Sequence, residues 1–309
     1  MKSRPYALLA LAACLVASAL VAAPAQARPL IGLSDNRPET FGDPLFTPSG
    51  ISRTRVLVPY DQVRKRGRRL KEQDAYFRFA QAAKISVLVS FYRTSSCSPK
   101  CAAKRLPSVA GFRSDFRRFR KRYPWVKRFS TWNEMNFPQA QPTGRNPKRT
   151  GQFYKMLRKE CRGGKCTVLT GDFRASGSKF DKRWLKTFKK TIGGGSHRWG
   201  LVSHPEVNKM HSRYTRSFLR SVRGPVYVTE VGAYNFFRRV AKPSLTRQNR
   251  VMEYILGPYA RVSRRIKELY IYNWRAAANN SHWDSALLSK SGTPRPAFYT
   301  FFFKGLQKK

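Results

Sequence analysis

Ile85-Ser86-Val87-Leu88-Val89-Ser90-Phe91 is almost wholly apolar and rich in β-branched residues. A run this short and this apolar reads as a strand covered on both faces, the kind found in parallel sheets flanked by helices. The chain on either side repeats the theme. Upstream, residues 30–33 and 54–59 read as strands, with a helix over 71–83. Downstream, Val109–Arg122 sets Phe112, Phe116 and Phe119 at helical spacing. Further strands follow at 126–132, 167–170, 200–204, 226–229 and 269–273, the 226–229 strand opened by the breaker Gly224-Pro225. Helices fall between them at 148–160, 179–191, 212–222, 246–262 (capped by Thr246) and 296–305.

Eight strands in succession, with a helix after each from the second to the eighth, have the size and count of a (β/α)8 TIM barrel. A doubly wound open sheet also alternates, but a Gly-rich phosphate loop is missing, which favours the closed barrel. There is no internal repeat and no low-complexity linker, so residues 28–309 are expected to form one barrel domain.

The chain of 309 residues carries 62 Lys+Arg against 16 Asp+Glu, a formal charge of +46. With 41% hydrophobic and 13% aromatic residues it is no disordered basic tail, so the charge sits on a folded body. Residues 1–27 read as a secretory signal peptide: Lys2 and Arg4, an apolar run over 6–23, then the small-x-small site Ala25-Gln26-Ala27. The mature chain is expected to start at Arg28, to be secreted and extracellular or cell-wall associated, and to lack a transmembrane segment. Cys14 leaves with the leader, and Cys97, Cys101, Cys161 and Cys166 remain. In an oxidising compartment four cysteines suggest two disulfides; a four-thiolate zinc site would want C-x2-C knuckles that are missing here. In a barrel, Cys97 and Cys101 follow the third strand, while Cys161 and Cys166 precede the fifth, at the opposite end. Bridged Cα atoms lie within roughly 7 Å, so the expected pairs are Cys97–Cys101 and Cys161–Cys166.

With acids so scarce, their positions carry information. Glu134 lies just past the fourth strand and Glu230 at the end of the seventh, at the strand ends where a barrel keeps its chemistry. Glycosidic hydrolysis needs two such carboxyl groups, one neutral to protonate the leaving oxygen and one charged to attack carbon or activate water.

Thr131-Trp132-Asn133-Glu134-Met135-Asn136 resembles the Asn-Glu acid/base motif of the large clan of retaining (β/α)8 glycoside hydrolases that contains cellulases, mannanases and β-xylosidases. Val226-Tyr227-Val228-Thr229-Glu230-Val231-Gly232 resembles the clan's nucleophile strand, and Tyr272-Asn273-Trp274 its sugar-platform tryptophan. Asp284-Ser285-Ala286-Leu287-Leu288 and Gly292-Thr293-Pro294-Arg295-Pro296-Ala297-Phe298 resemble its closing segment. The resemblance covers essentially the whole mature chain. It implies Glu134 as general acid/base, Glu230 as nucleophile, Asn133 bonding the sugar 2-hydroxyl, His204 as a hydrogen-bond partner and Arg55 supporting the nucleophile. Trp274 is either a sugar platform or plain core. The segment Ser203-His204-Pro205-Glu206 departs from the pattern, since many relatives carry a tyrosine after His-Pro. Glu206 is left to contact either substrate or a surface arginine.

Other chemistries fit less well. His197, His204 and His211 recur every seven residues but straddle a strand and two loops, so no metal is expected, nor any cofactor. No G-x-S-x-G elbow is present for a serine nucleophile. Basic runs at 64–69, 117–122 and 186–190 attract polyanions, of which an anionic wall polymer suits an exported protein. No nucleic-acid-reading module accompanies them, so no specific nucleic acid is expected. The expected substrate is a polysaccharide or oligosaccharide with β-linkages. The alternative is a non-catalytic cationic binder of wall or nucleic-acid polyanions on a glycosidase-like barrel.

Overall fold

The computed structural model describes residues 28–278 and 282–306. The expected leader and Cys14 lie outside the described residues. Eight parallel strands form the barrel: β1 (Leu30–Ser34), β2 (Arg53–Pro59), β3 (Ser86–Tyr92), β4 (Arg128–Ser130), β5 in two segments (Thr167–Leu169 and Asp172–Arg174), β6 (Trp199–Val202), β7 (Val226–Val231) and β8 (Ile266–Tyr272). β1 pairs with β2 on one side and with β8 on the other. The first segment of β5 pairs with β4 and the second with β6, which carries the ring past the break. Gly171 sits at that break with φ +120°, and a Cβ there would come within 2.6 Å of the Met135 sulfur. Only glycine fits both the backbone and the space.

The outer ring is α1 (Arg68–Ala82), α2 (Val109–Arg122), α3 (Pro147–Glu160), α4 (Lys179–Ile192), α5 (Arg213–Ser221), α6 (Leu245–Tyr254) and α7 (Pro296–Thr300). The first strand is followed by no α-helix, and the sequence predicts none there. Between β1 and β2 there is only a 3-10 turn, Pro38–Gly42, because Pro38, Pro44 and Pro48 in that stretch deny a helix its backbone donors. The cap of α6 is Ser244, whose hydroxyl accepts from the Arg247 amide, and not Thr246. No helix among the described residues is long and apolar enough to cross a membrane.

The helices bury their apolar faces on the outside of the barrel. On α2, Ser108 caps the first turn, and Phe112, Phe116 and Phe119 point inward beneath an exposed basic face. Phe116 meets Phe129 of β4 edge-on at 5.0 Å, and Phe129 stacks on Phe91 of β3. On α4, Trp184, Leu185 and Phe188 are buried while Lys182, Arg183, Lys186, Lys189 and Lys190 stay exposed. Cys97 pairs with Cys101 in the loop after β3, and Cys161 with Cys166 between α3 and β5, with Cα separations of 5.9 and 4.9 Å.

Inside the barrel the side chains form layers. Leu88, Leu169 and Tyr270 make a thin apolar layer, and Tyr227 packs against it. Toward the N-terminal end of the strands, Glu268 takes Arg53 at 3.1 Å, Arg128 at 2.6 Å and the Tyr270 hydroxyl at 2.5 Å. Toward the C-terminal end the interior is again ionic, around Arg55. The apolar character of the strands therefore belongs to their outer face and to one thin inner layer.

Candidate active site at the C-terminal mouth

Arg55 is the hub. It projects inward from β2 and is fully buried. Its Nη1 pairs with Glu230 and donates to the Ser34 hydroxyl at 3.1 Å. Nη2 donates to Asn133 Oδ1 at 2.6 Å and Asp172 Oδ2 at 2.7 Å, and Nε to the Ser90 hydroxyl at 3.0 Å. Five donors thus reach residues of five strands or strand ends, the complete capacity of a guanidinium fork. Gly200 on β6 makes room for this cluster, since a Cβ there would lie 2.5 Å from Asp172 Oδ1.

Glu230 lies inside β7, one residue short of its end. Its second oxygen sits 3.0 Å from His204 Nε2, which is the donor there because a carboxylate only accepts. Burial on its own raises a carboxyl's proton affinity, but the Arg55 charge and the His204 hydrogen bond outweigh it and hold Glu230 at about 2. Glu134 moves the other way. Burial, and then the negative charge of Glu230, push its proton affinity above the ordinary carboxyl range, against the opposing charge of Arg174.

The turn that carries Glu134 is pinned on both sides. The Asn133 amide donates to Phe91 carbonyl at 2.7 Å and the Met135 amide to Asp172 carbonyl at 3.0 Å. Between them Glu134 adopts φ 43°, a left-handed conformation that costs a non-glycine residue on the order of 1 kcal/mol and persists where neighbours impose it.

The structure brings together Arg55, Asn133, Glu134, His204 and Glu230 from the residues named by sequence. It does not bring Trp274. That side chain is 1% exposed, wedged edge-on between Phe46 and Phe298 at 5.7 Å from each, so it is core and not a sugar platform. β8 ends at Tyr272, and the chain turns there, with the Trp274 amide donating to Asp35 at 2.9 Å. The aromatic wall of the mouth comes from other residues. Trp283 stacks on Tyr272 at 5.1 Å and meets His204 at 5.0 Å and Tyr234 at 5.4 Å edge-on. Trp283 is held by a short antiparallel ribbon, Phe236–Phe237 with Trp283–Asp284. Burial raises the proton affinity of both Tyr272 and Tyr234, so their hydroxyls stay neutral donors.

Glu206 contacts neither of the partners expected for it. It is 1% exposed and accepts from the amides of Tyr214 at 2.8 Å and Thr215 at 3.0 Å, and from the hydroxyls of Ser203 and Thr215. It caps the first turn of α5, whose free amides need an acceptor.

Asp172, Tyr272, Tyr234, Trp283 and Arg174 belong to the mouth but went unread in the sequence. Asp172 was findable, being a scarce acid at the end of a strand, like Glu134 and Glu230. For the aromatic residues the only signal was their place on loops that follow β7 and β8.

No protein-family model matches the chain, and no curated protein matches it. Solved structures do. Penicillium canescens endo-1,4-beta-xylanase XylE superposes with a TM-score of 0.63 at 10% identity, over 92% of this chain and 96% of that one. Xylanase 10B from Thermotoga maritima gives 0.61 at 9% identity, over 92% and 98%. A GH128 endo-beta-1,3-glucanase from Sorangium cellulosum gives 0.59 at 11% identity, over 90% and 99%. At such identities the likeness is one of fold: the chain is a (β/α)8 barrel of the kind on which several glycoside hydrolase groups are built.

Proposed function

We propose that this chain is a secreted, retaining glycoside hydrolase acting on β-linked polysaccharide or oligosaccharide, with Glu230 as nucleophile and Glu134 as general acid/base. The observation that carries the reading is the opposite protonation bias of two carboxyl groups in one mouth. Environments that drive two titratable groups apart assign the acid and the base. Glu230, ionised beside Arg55 and His204, is poised to attack the anomeric carbon. Glu134, whose proton affinity is raised by burial and by the charge of Glu230, is poised to give its proton to the leaving oxygen. When Glu230 becomes esterified its charge disappears, the proton affinity of Glu134 falls, and Glu134 can take a proton from the incoming water. Asn133, fixed by Arg55, faces the same cluster as a candidate partner for the sugar 2-hydroxyl. The similarity to xylanases and to a glucanase supports a carbohydrate substrate without naming the sugar.

The surface charge adds a second, separable property: attraction of the whole enzyme to anionic polymers such as those of a cell wall.

The test is covalent trapping. An activated 2-deoxy-2-fluoro glycoside should label Glu230, and peptide mapping should find the adduct there. Glu134→Ala should keep turnover of substrates with good leaving groups and be rescued by azide. A label on another residue, or inverted configuration in the released sugar, removes the mechanism.

A further inference from the structure

Arg174 ends β5 in the mouth of the barrel, and its backbone is clamped by one side chain. The Arg174 amide donates to Asn136 Oδ1 at 2.7 Å, and its carbonyl accepts from Asn136 Nδ2 at 2.9 Å. The guanidinium lies over the Phe137 ring, 4.4 Å from its centre, a stacking that restricts its swing. Its Nε is 3.9 Å from Glu134 Oε1, beyond hydrogen-bonding reach, and about a third of the side chain (32%) is exposed.

Four other arginines of this end are spoken for. Arg55 serves Glu230 and Asp172, Arg37 serves Asp35, Arg275 serves Asp43 and Arg295 serves Asp284. The Arg174 guanidinium has no hydrogen-bond acceptor among the described residues. It is a held cation with its donors unused, open to solvent beside Glu134. Its charge also favours the ionised form of Glu134 and so works against proton donation. An anion brought by the substrate would satisfy the donors and cancel that effect.

We propose that Arg174 is the anion-reading subsite of this mouth and that the substrate is an acidic glycan, with a carboxylate or sulfate on a sugar bordering the scissile bond. The inference rests on the two-glutamate reading for which bond is cut, but not for what is bound. A guanidinium takes either oxyanion through two parallel N–H donors, and the planar fork matches a carboxylate best.

The experiment uses one oligosaccharide backbone in neutral, uronate-bearing and sulfated forms. Binding is measured by calorimetry on Glu230→Gln and on Glu230→Gln/Arg174→Gln, and kcat/KM on wild type and Arg174→Gln. One charged form should bind at least tenfold tighter than the neutral one, and Arg174→Gln should reduce that ratio about 10- to 100-fold, mainly through affinity and KM. Arg174→Lys should restore more of the preference for sulfate than of that for carboxylate. Which charged form wins identifies the anion. Equal affinity for charged and neutral forms, or a preference that survives Arg174→Gln, overturns the subsite whatever the activity. A charge preference lost in Arg174→Gln with no hydrolysis by wild type upholds the subsite and overturns the two-glutamate mechanism instead.

Discussion

Replacing Arg55 by Met removes a buried cation shared by two carboxylates and leaves its volume roughly filled. Glu230 is held at about 2 against an ordinary value of 4.5, and each tenfold change in proton affinity is about 1.4 kcal/mol, so the environment favours its ionised form by about 3 kcal/mol. Because the folded protein binds this proton less tightly than the unfolded chain, the stabilisation is complete above pH 4.5 and drains away as pH falls toward 2. Without Arg55, burial is opposed by His204 alone, and the contribution is lost. Breaking a buried pair of this kind costs about 3–5 kcal/mol at neutral pH. At pH 3, where wild type has already surrendered part of the Glu230 contribution, the penalty should be smaller by about 2 kcal/mol. Urea unfolding followed by tryptophan fluorescence, on wild type, Arg55→Met, Glu230→Gln and the double variant, measures both quantities. At pH 7 the cycle should return a coupling of about 3 kcal/mol. Additivity within about 0.5 kcal/mol, or an Arg55→Met penalty independent of pH between 7 and 3, would refute the account of how Glu230 is kept ionised.

Three further outcomes follow from the same structure. Phe116→Ala empties a fully buried site between α2 and β4 and should cost about 3–5 kcal/mol in chemical denaturation. Glu206→Ala strips the acceptor from two amides and two hydroxyls, so a loss of about 2–3 kcal/mol and faster amide exchange at Tyr214 and Thr215 are expected; unchanged exchange there would contradict the capping role. Retention on an anionic resin should collapse with added salt, since screening acts over about 8–10 Å at physiological ionic strength, while hydrolysis of a small neutral glycoside changes little. Salt-independent retention would speak against an electrostatic origin.

Strand and helix periodicity is a local property, and it was enough to place every barrel strand within a few residues. The alternation also placed the two cysteine pairs at opposite ends, which left local pairing as the only short connection. The scarcity of acids, joined to the rule that a barrel's chemistry sits at strand ends, pointed to Glu134 and Glu230. It pointed equally to Asp172, whose place in the same cluster only the fold made plain. What tertiary structure alone decided lies in the loops, where direction is not periodic. Trp274 and Trp283 are both tryptophans after β8, yet the turn at Tyr272 sends the first into the core, and pairing with Phe236–Phe237 holds the second against His204. Glu206 looks like a site residue beside His204 in the sequence, but the α5 amides capture it. Arg174 is one of 62 basic residues. Nothing in its neighbours along the chain marks it out, because its distinction comes from Asn136 and Phe137 on another loop, which hold the cation in place beside Glu134.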